Sequence, residues 1–318
     1  MYFYSAFEHY FSSKVKIPEC DKYKIIIMKT ITFCLIVCLN ALASLAQDKP
    51  AYLIFTADGQ QVSYSKMIDG IKGSDITFFG EFHDNPIAHW LEFEVTKDFF
   101  TIKGKNLMLG AEMFEADNQL IMDEYLAGLI PQKRFEEEIR LWNNYKTDYK
   151  PLVEFAKSNG LKFVATNVPR RYASAVSAGG FEALVPFSDE AKRFVAPLPI
   201  EYDAELPGYK AMLQMGGMPG KPNANAQNMP KAQAIKDATM AHFIVKNLKS
   251  GFSFIHYNGS YHSNNKEGII WYVNKYNPKL KVSTITTVTQ TDLSKLDDEN
   301  KGLADFIIVI PESMTRTY

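Results

Sequence analysis

The sequence predicts an α/β protein with a largely parallel central sheet, covered by helices on both faces and carrying extra helical insertions. Three observations lead there. Short runs such as 76–79, 161–166 and 252–257 are apolar without internal alternation, as strands buried on both faces are. Segments with helical spacing lie between them. The runs also end abruptly in polar residues of catalytic type, and in a parallel sheet such ends share one edge, where ligands bind.

Taken in order, residues 51–55 and 61–64 flank Asp58-Gly59 and read as a β-hairpin. A short helix over 65–71 has Ser65 as its N-cap. Residues 76–79 are the first buried strand, followed by Gly80-Glu81-Phe82-His83-Asp84. Asn85 caps the next helix, with Pro86 at its first position, where a missing N–H costs nothing. Ile87, Leu91 and Val95, with Trp90, form its apolar face. A second strand over 106–111 ends in Glu112. Helices follow over 118–129, 132–142 and 150–158, the last closed by Asn159-Gly160. The third strand, 161–166, runs into Asn167-Val168-Pro169-Arg170-Arg171, and a helix over 173–177 stops at Gly179-Gly180. Between 197 and 230 the pattern breaks into Met, Gly, Pro and Asn. A loop of this length, centred on 211–230, is either a mobile functional lid or a disordered segment. A helix over 231–248, a fourth buried strand over 252–257, a helix over 268–275 and strands over 281–289 and 304–310 complete the chain.

The chain has 318 residues, 46% of them apolar, enough for a full core in one or two domains. A formal charge of −1 gives no general attraction to nucleic acid or anionic membranes. Cys20, Cys34 and Cys38 all lie near the start. From Met28 a basic beginning, an apolar centre and small residues before Gln47 read as a secretory signal peptide over 28–46, with Ser44 and Ala46 at its cleavage site. The alternative, an N-terminal membrane anchor, calls for a longer apolar run. Residues 1–27 then precede the true start, and 47–318 form a single cysteine-free domain exported to the periplasm or cell envelope. The bulky Val37 before Cys38 argues against a lipid anchor. Without cysteine, disulfides, thiol catalysis and thiolate metal sites are excluded.

The chemistry collects at the strand ends: Glu81 with His83, Glu112, Asn167 with Arg170, and His262 after Asn258-Gly259-Ser260-Tyr261. Each has a bland reading. Glu81 and Glu112 could cap helices, His83 could be a bonded turn residue, and Arg170 could simply pair with either glutamate. His89, His242 and His256 read most simply as structural. Together, Glu81, His83, Glu112 and His262 make an N/O ligand set for a divalent cation such as Zn²⁺ or Mn²⁺. A metal-bound water with a carboxylate base, and Arg170 steering an anion or carbonyl, would make a metal-dependent hydrolase. Asp84, His89 and Asn167 then orient those groups. No H-E-x-x-H, G-x-S-x-G or P-loop is present.

The opening motif Gly80-Glu81-Phe82-His83-Asp84-Asn85-Pro86 with His89 resembles that of the ChaN-like haem-binding uptake proteins of the Tiki superfamily. The likeness continues through Glu112-Met113-Phe114 with Gln119, Trp142, Tyr149-Lys150-Pro151-Leu152, Asn167-Val168-Pro169-Arg170, the stretch 233–241, and Asn258-Gly259-Ser260-Tyr261-His262 with Gly268. Ala88 stands where relatives often carry a further histidine. The resemblance implies a Tiki/erythromycin esterase-like α/β fold, an envelope location, and haem held at a homodimer interface through tyrosine. Haem is then the cofactor and cargo, and an outer-membrane haem receptor system the partner in iron uptake. Tyr172, Tyr202 and Tyr209, which flank Arg170 or the Met-rich loop, are the candidate haem ligands; each could equally be an ordinary packed tyrosine. The hydrolase remains the alternative.

Overall fold

The computed structural model describes residues 28–30, 32, 49–215 and 226–317, and the chain divides into two units, Met1–Pro50 and Ala51–Tyr318. The expected leader over 28–46 falls almost wholly outside the described residues. Among those described, no helix is long and apolar enough to cross a membrane.

The second unit carries one eight-stranded sheet in the order β2-β1-β8-β7-β3-β6-β4-β5. Its strands are β1 (Leu53–Thr56), β2 (Gln61–Val62), β3 (Ile76–Glu81), β4 (Leu107–Glu115), β5 (Lys162–Asn167), β6 (Ser253–Gly259), β7 (Val282–Gln290) and β8 (Phe306–Pro311). From β8 to β5 every pairing is parallel; the β1–β2 hairpin at one edge is antiparallel within itself and to β8. The sheet is therefore largely parallel, as the unalternating apolar runs require. Neighbouring residues show the reason: Phe79 packs into one core layer and Phe78 into the other. The helices are α1 (Tyr64–Ile71), α2 (Pro86–Lys103), α3 (Gln119–Leu126), α4 (Gln132–Glu138), α5 (Lys150–Asn159), α6 (Arg170–Gly179), α7 (Asp189–Lys192), α8 (Pro207–Met215), α9 (Met229–Asn247) and α10 (Ile269–Tyr276). Met67, Leu91, Val95 and Leu152 bring α1, α2 and α5 onto the Phe79 face, while Ala238, Ile244, Ile270 and Val273 bring α9 and α10 onto the Phe78 face.

Local chemistry sets the element ends. The Asn85 side chain accepts from the N–H groups of Ile87 and Ala88 at 3.0 and 3.1 Å, with Pro86 opening α2 as expected. Gly160 closes α5 in the left-handed conformation at φ 61. The cap of α1 is Ser63 rather than Ser65, because its hydroxyl, two residues earlier, reaches the Lys66 N–H. The second strand does not stop before Glu112. Buried Met113 and Phe114 carry β4 on to Glu115, and its register with β5 shifts between Ala111 and Glu115. That irregularity re-aims Glu112, as bulges beside functional sites do. The helices expected over 118–129 and 132–142 end early, at Leu126 and Glu138, and the one expected from 173 starts at Arg170. The segment expected as a loop over 211–230 begins inside α8 and ends in α9; residues 216–225 lie outside the described residues.

One glycine ties the second half together. Gly268, ahead of α10, has φ 52 and ψ −119, and an added Cβ would lie 2.3 Å from the His262 carbonyl oxygen. Gly268→Ala is expected to cost roughly 1–3 kcal/mol through strain and overpacking. A lower urea midpoint at unchanged m-value would show it.

Candidate functional site

Glu81 ends β3 with its carboxylate buried. A lone charge there would be strongly disfavoured, so its partners decide its state. Oε1 accepts hydrogen bonds from His83 Nδ1 at 2.6 Å and from the Tyr149 hydroxyl at 2.7 Å. Oε2 lies 3.0 Å from His89 Nδ1. Burial pushes the Glu81 pKa up, but the hydrogen bond from His83 and the adjacent His89 imidazole outweigh it and hold the carboxyl below its usual range. Burial works against both imidazolium ions, yet the bond to Glu81 raises each, to about 11 for His89. Glu92, one turn along α2, goes the other way: burial and the Glu81 charge push its pKa well up.

His89 is held from both sides. Nδ1 lies 3.2 Å from Glu92 Oε2, while Nε2 donates to the His83 carbonyl oxygen at 3.1 Å. The Asn144 amide donates to that same carbonyl at 2.8 Å and to Asp148 Oδ2 at 2.7 Å.

A second group forms beside the first. Glu112 Oε2 accepts the Gly259 N–H at 2.8 Å, and Oε1 lies 3.1 Å from His262 Nε2. The His262 Nδ1 bonds Asp237 on α9, whose other oxygen accepts the Tyr209 hydroxyl at 2.7 Å. Burial lowers the His262 pKa, but the Glu112 and Asp237 charges raise it to about 10. Burial likewise raises Glu112, yet the His262 charge brings it down to about 2. Asp237 is raised by burial and by the Glu112 charge, beyond what His262 and Tyr209 return. The two groups meet across Gly259, where a Cβ would sit 2.8 Å from His83 Nε2 and 3.5 Å from Glu112 Oε2.

Above them lies a cleft of about 520 Å³. His83, Glu112 and His262 line it with apolar Trp142, Val168, Ala173 and Ala232 and with the cations Arg170 and Lys236. Among the described residues neither cation has a carboxylate partner, so the expected pairing of Arg170 with Glu81 or Glu112 is not made. By contrast, Arg140 and Arg171 both hold Asp117. The Asn167 amide donates to the Glu112 carbonyl oxygen at 2.9 Å, while its Oδ1 is buried without a partner.

Other expected residues are placed elsewhere. Asp84 accepts from Arg316 at 2.6 Å, near the end of the chain. Tyr172 is buried edge-on to Phe187 and accepts from Arg171, Tyr209 is buried on Asp237, and Tyr202 is half-buried against Phe181 and Tyr209. His256 is structural: burial drops its pKa to about 4, and Thr166 and Asn258 bond its ring. His242 packs on Phe243 and Tyr276.

Glu81, His83, Glu112 and His262 thus stand as two carboxylate–imidazole pairs. A charged His262 can donate a proton near neutral pH and is poorly suited to accept one. The residues whose ligand atoms gather within 4.8 Å of one another are Glu81, His89 and Glu92. Glu92 had a readable signal, His-x-x-Glu, which puts both side chains on one helical face. Asp237 and Lys236 had only their helix and their place in the family-like stretch 233–241.

The sequence matches the family described as haem-binding uptake, Tiki superfamily, ChaN, over residues 67–273. No curated protein matches the chain. Among solved structures, one described as cofacial heme binding to ChaN of Campylobacter jejuni is similar at a TM-score of 0.64 and 16% identity, covering 83% of this chain and 98% of that one. At that identity the likeness shows a shared fold. A Bacillus cereus protein follows at a TM-score of 0.46 and 11% identity, covering 79% and 92% of the two chains. An erythromycin esterase in its open conformation reaches 0.42 at 10% identity, covering 81% and 83%.

The His262 pairing should leave a mark on stability. Its contribution is complete below the unfolded pKa of about 6.5 and is lost as pH rises through about 10. The thermal midpoint is expected to fall across that alkaline window, and less steeply in His262→Gln. Superimposable slopes would show that the pair adds nothing.

Proposed function

Because the chain belongs to the haem-binding uptake, ChaN family of the Tiki superfamily, we propose that it binds haem in the cleft above Glu112 and His262, as an exported protein of haem and iron uptake. The observation that carries this reading is the cleft itself. Its volume suits a cofactor, its apolar residues suit porphyrin faces, and Arg170 and Lys236, without carboxylate partners among the described residues, match two propionates. Asn167 Oδ1, buried without a partner in the same lining, offers a further acceptor.

The residues therefore fit the group. Bound haem would supply an iron centre that a lining side chain could ligate. Trp142, Val168, Ala173 and Ala232 would exclude water from the ring, and the two cations would fix its orientation. Among the lining imidazoles, His83 Nε2 makes no hydrogen bond, whereas both nitrogens of His262 are engaged. A role for Tyr172 or Tyr209 as ligand requires each to leave its present partner; Tyr202 has no such bond to break. Assembly as a homodimer, delivery through an outer-membrane haem receptor system and a periplasmic or envelope location belong to the same proposal. They rest on the family and on the leader-like stretch 28–46.

The metal-dependent hydrolase built on Glu81, His83, Glu112 and His262 is not favoured. Among the described residues, the ligand atoms that gather closely are those of Glu81, His89 and Glu92 rather than those of this set.

Titration with hemin is expected to give a saturable Soret shift, and no shift at micromolar protein and hemin would overturn the proposal. Charge-assisted hydrogen bonds are worth roughly 1.5–3 kcal/mol, discounted here for exposure, so Arg170→Gln and Lys236→Gln should each weaken hemin roughly tenfold. Unchanged affinity in the double variant would remove the propionates from this end of the cleft.

A further inference from the structure

We propose that Glu81, His89 and Glu92 form a buried site for one divalent first-row cation with N/O ligands, such as Zn²⁺ or Mn²⁺, distinct from the open cleft. The site stands on its own geometry and does not depend on haem binding.

The three ligand atoms lie within 4.8 Å of one another, with His89 Nδ1 at 3.0 Å from Glu81 Oε2 and 3.2 Å from Glu92 Oε2. Bonds of about 2.0–2.2 Å to a tetrahedral ion put its ligands roughly 3.3–3.6 Å apart. An opening of a few tenths of an ångström would admit the ion.

Independent of that spacing, polar atoms in the cluster lack partners. Among the described residues, and apart from the approach of His89 Nδ1 to Glu81 Oε2, neither Glu81 Oε2 nor Glu92 Oε1 has a hydrogen bond, though the residues are only 1% and 0% exposed. A native protein rarely leaves buried carboxylate oxygens so. A cation entering here displaces the protons of His89 and Glu92 to solvent, and the resulting two carboxylates and neutral imidazole sum to −2, which a dication cancels and a monovalent ion does not.

The surroundings orient all three ligands. His89 Nε2 donates to the His83 carbonyl oxygen, which turns Nδ1 toward the carboxylates, and Nδ1 becomes a ligand once its proton is displaced. Tyr149 and His83 hold Glu81 by Oε1, so Oε2 is the oxygen left over. His89 and Glu92 are fixed by the first turns of α2, which Asn85 caps. With oxygen and nitrogen donors among the described residues, the set suits Zn²⁺ or Mn²⁺ over soft cations.

The test is metal content and direct titration of the folded protein, first stripped with chelator and then given Zn²⁺ or Mn²⁺. Wild type is expected to bind about one equivalent and to gain thermal stability. Glu92→Gln should lose that equivalent, Tyr149→Phe should weaken it roughly 10–100-fold, and Glu112→Gln should keep it. No stoichiometric ion in wild type, or loss in Glu112→Gln with retention in Glu92→Gln, overturns the proposal. Should Glu92→Gln fail to fold, anomalous diffraction at the zinc edge on wild-type crystals decides: a peak between Glu81, His89 and Glu92 supports the site, and a peak elsewhere or none sinks it.

Discussion

The carboxylate of Glu81 is the constraint on which the candidate site depends. It lies at the end of a strand enclosed by core on both faces, where an unpaired charge would cost several kcal/mol. The fold answers with His83 from the turn just after the strand, His89 from the first turns of α2 and the Tyr149 hydroxyl ahead of α5. Those three come from separate elements, so satisfying one carboxylate fixes how the turn, α2 and the approach to α5 sit against the sheet. Asn144 reinforces the arrangement by bonding both the His83 carbonyl and Asp148.

The neighbouring strand end repeats the solution with different parts. Glu112 is matched by His262, and His262 in turn by Asp237 and, beyond it, Tyr209. Only a glycine at 259 allows His83 and Glu112 to approach from either side, because a Cβ would occupy the space His83 Nε2 needs. Charges are thus neutralised in the floor of the cleft, while Arg170 and Lys236 in its lining have no carboxylate partner among the described residues. That division suits a pocket for an anionic, partly apolar ligand better than one for metal-assisted hydrolysis.

Much of this was legible in the chain. Unalternating apolar runs dictated a sheet buried on both faces, and Asn85-Pro86 dictated where α2 begins. Glu81, His83, Glu112 and His262 were readable because each follows or interrupts an apolar strand. The errors have physical causes. The strand carrying Glu112 continues because Met113 and Phe114 still find core, which a local reading of one acidic residue cannot reveal. Ser63 rather than Ser65 caps α1 because capping depends on which hydroxyl reaches the free N–H groups, and both were available.

What the sequence alone determined is the set of elements and the residue types at their ends, since propensity, capping and periodicity act over a few neighbours. Which ends meet was decided by tertiary structure. The order β3-β6-β4 places Glu81, Gly259 and Glu112 side by side although they are far apart in the chain. Helix packing on opposite faces brings Glu92 to Glu81 from one side and Asp237 to His262 from the other. Those contacts depend on strand order and helix rotation, which no local pattern encodes.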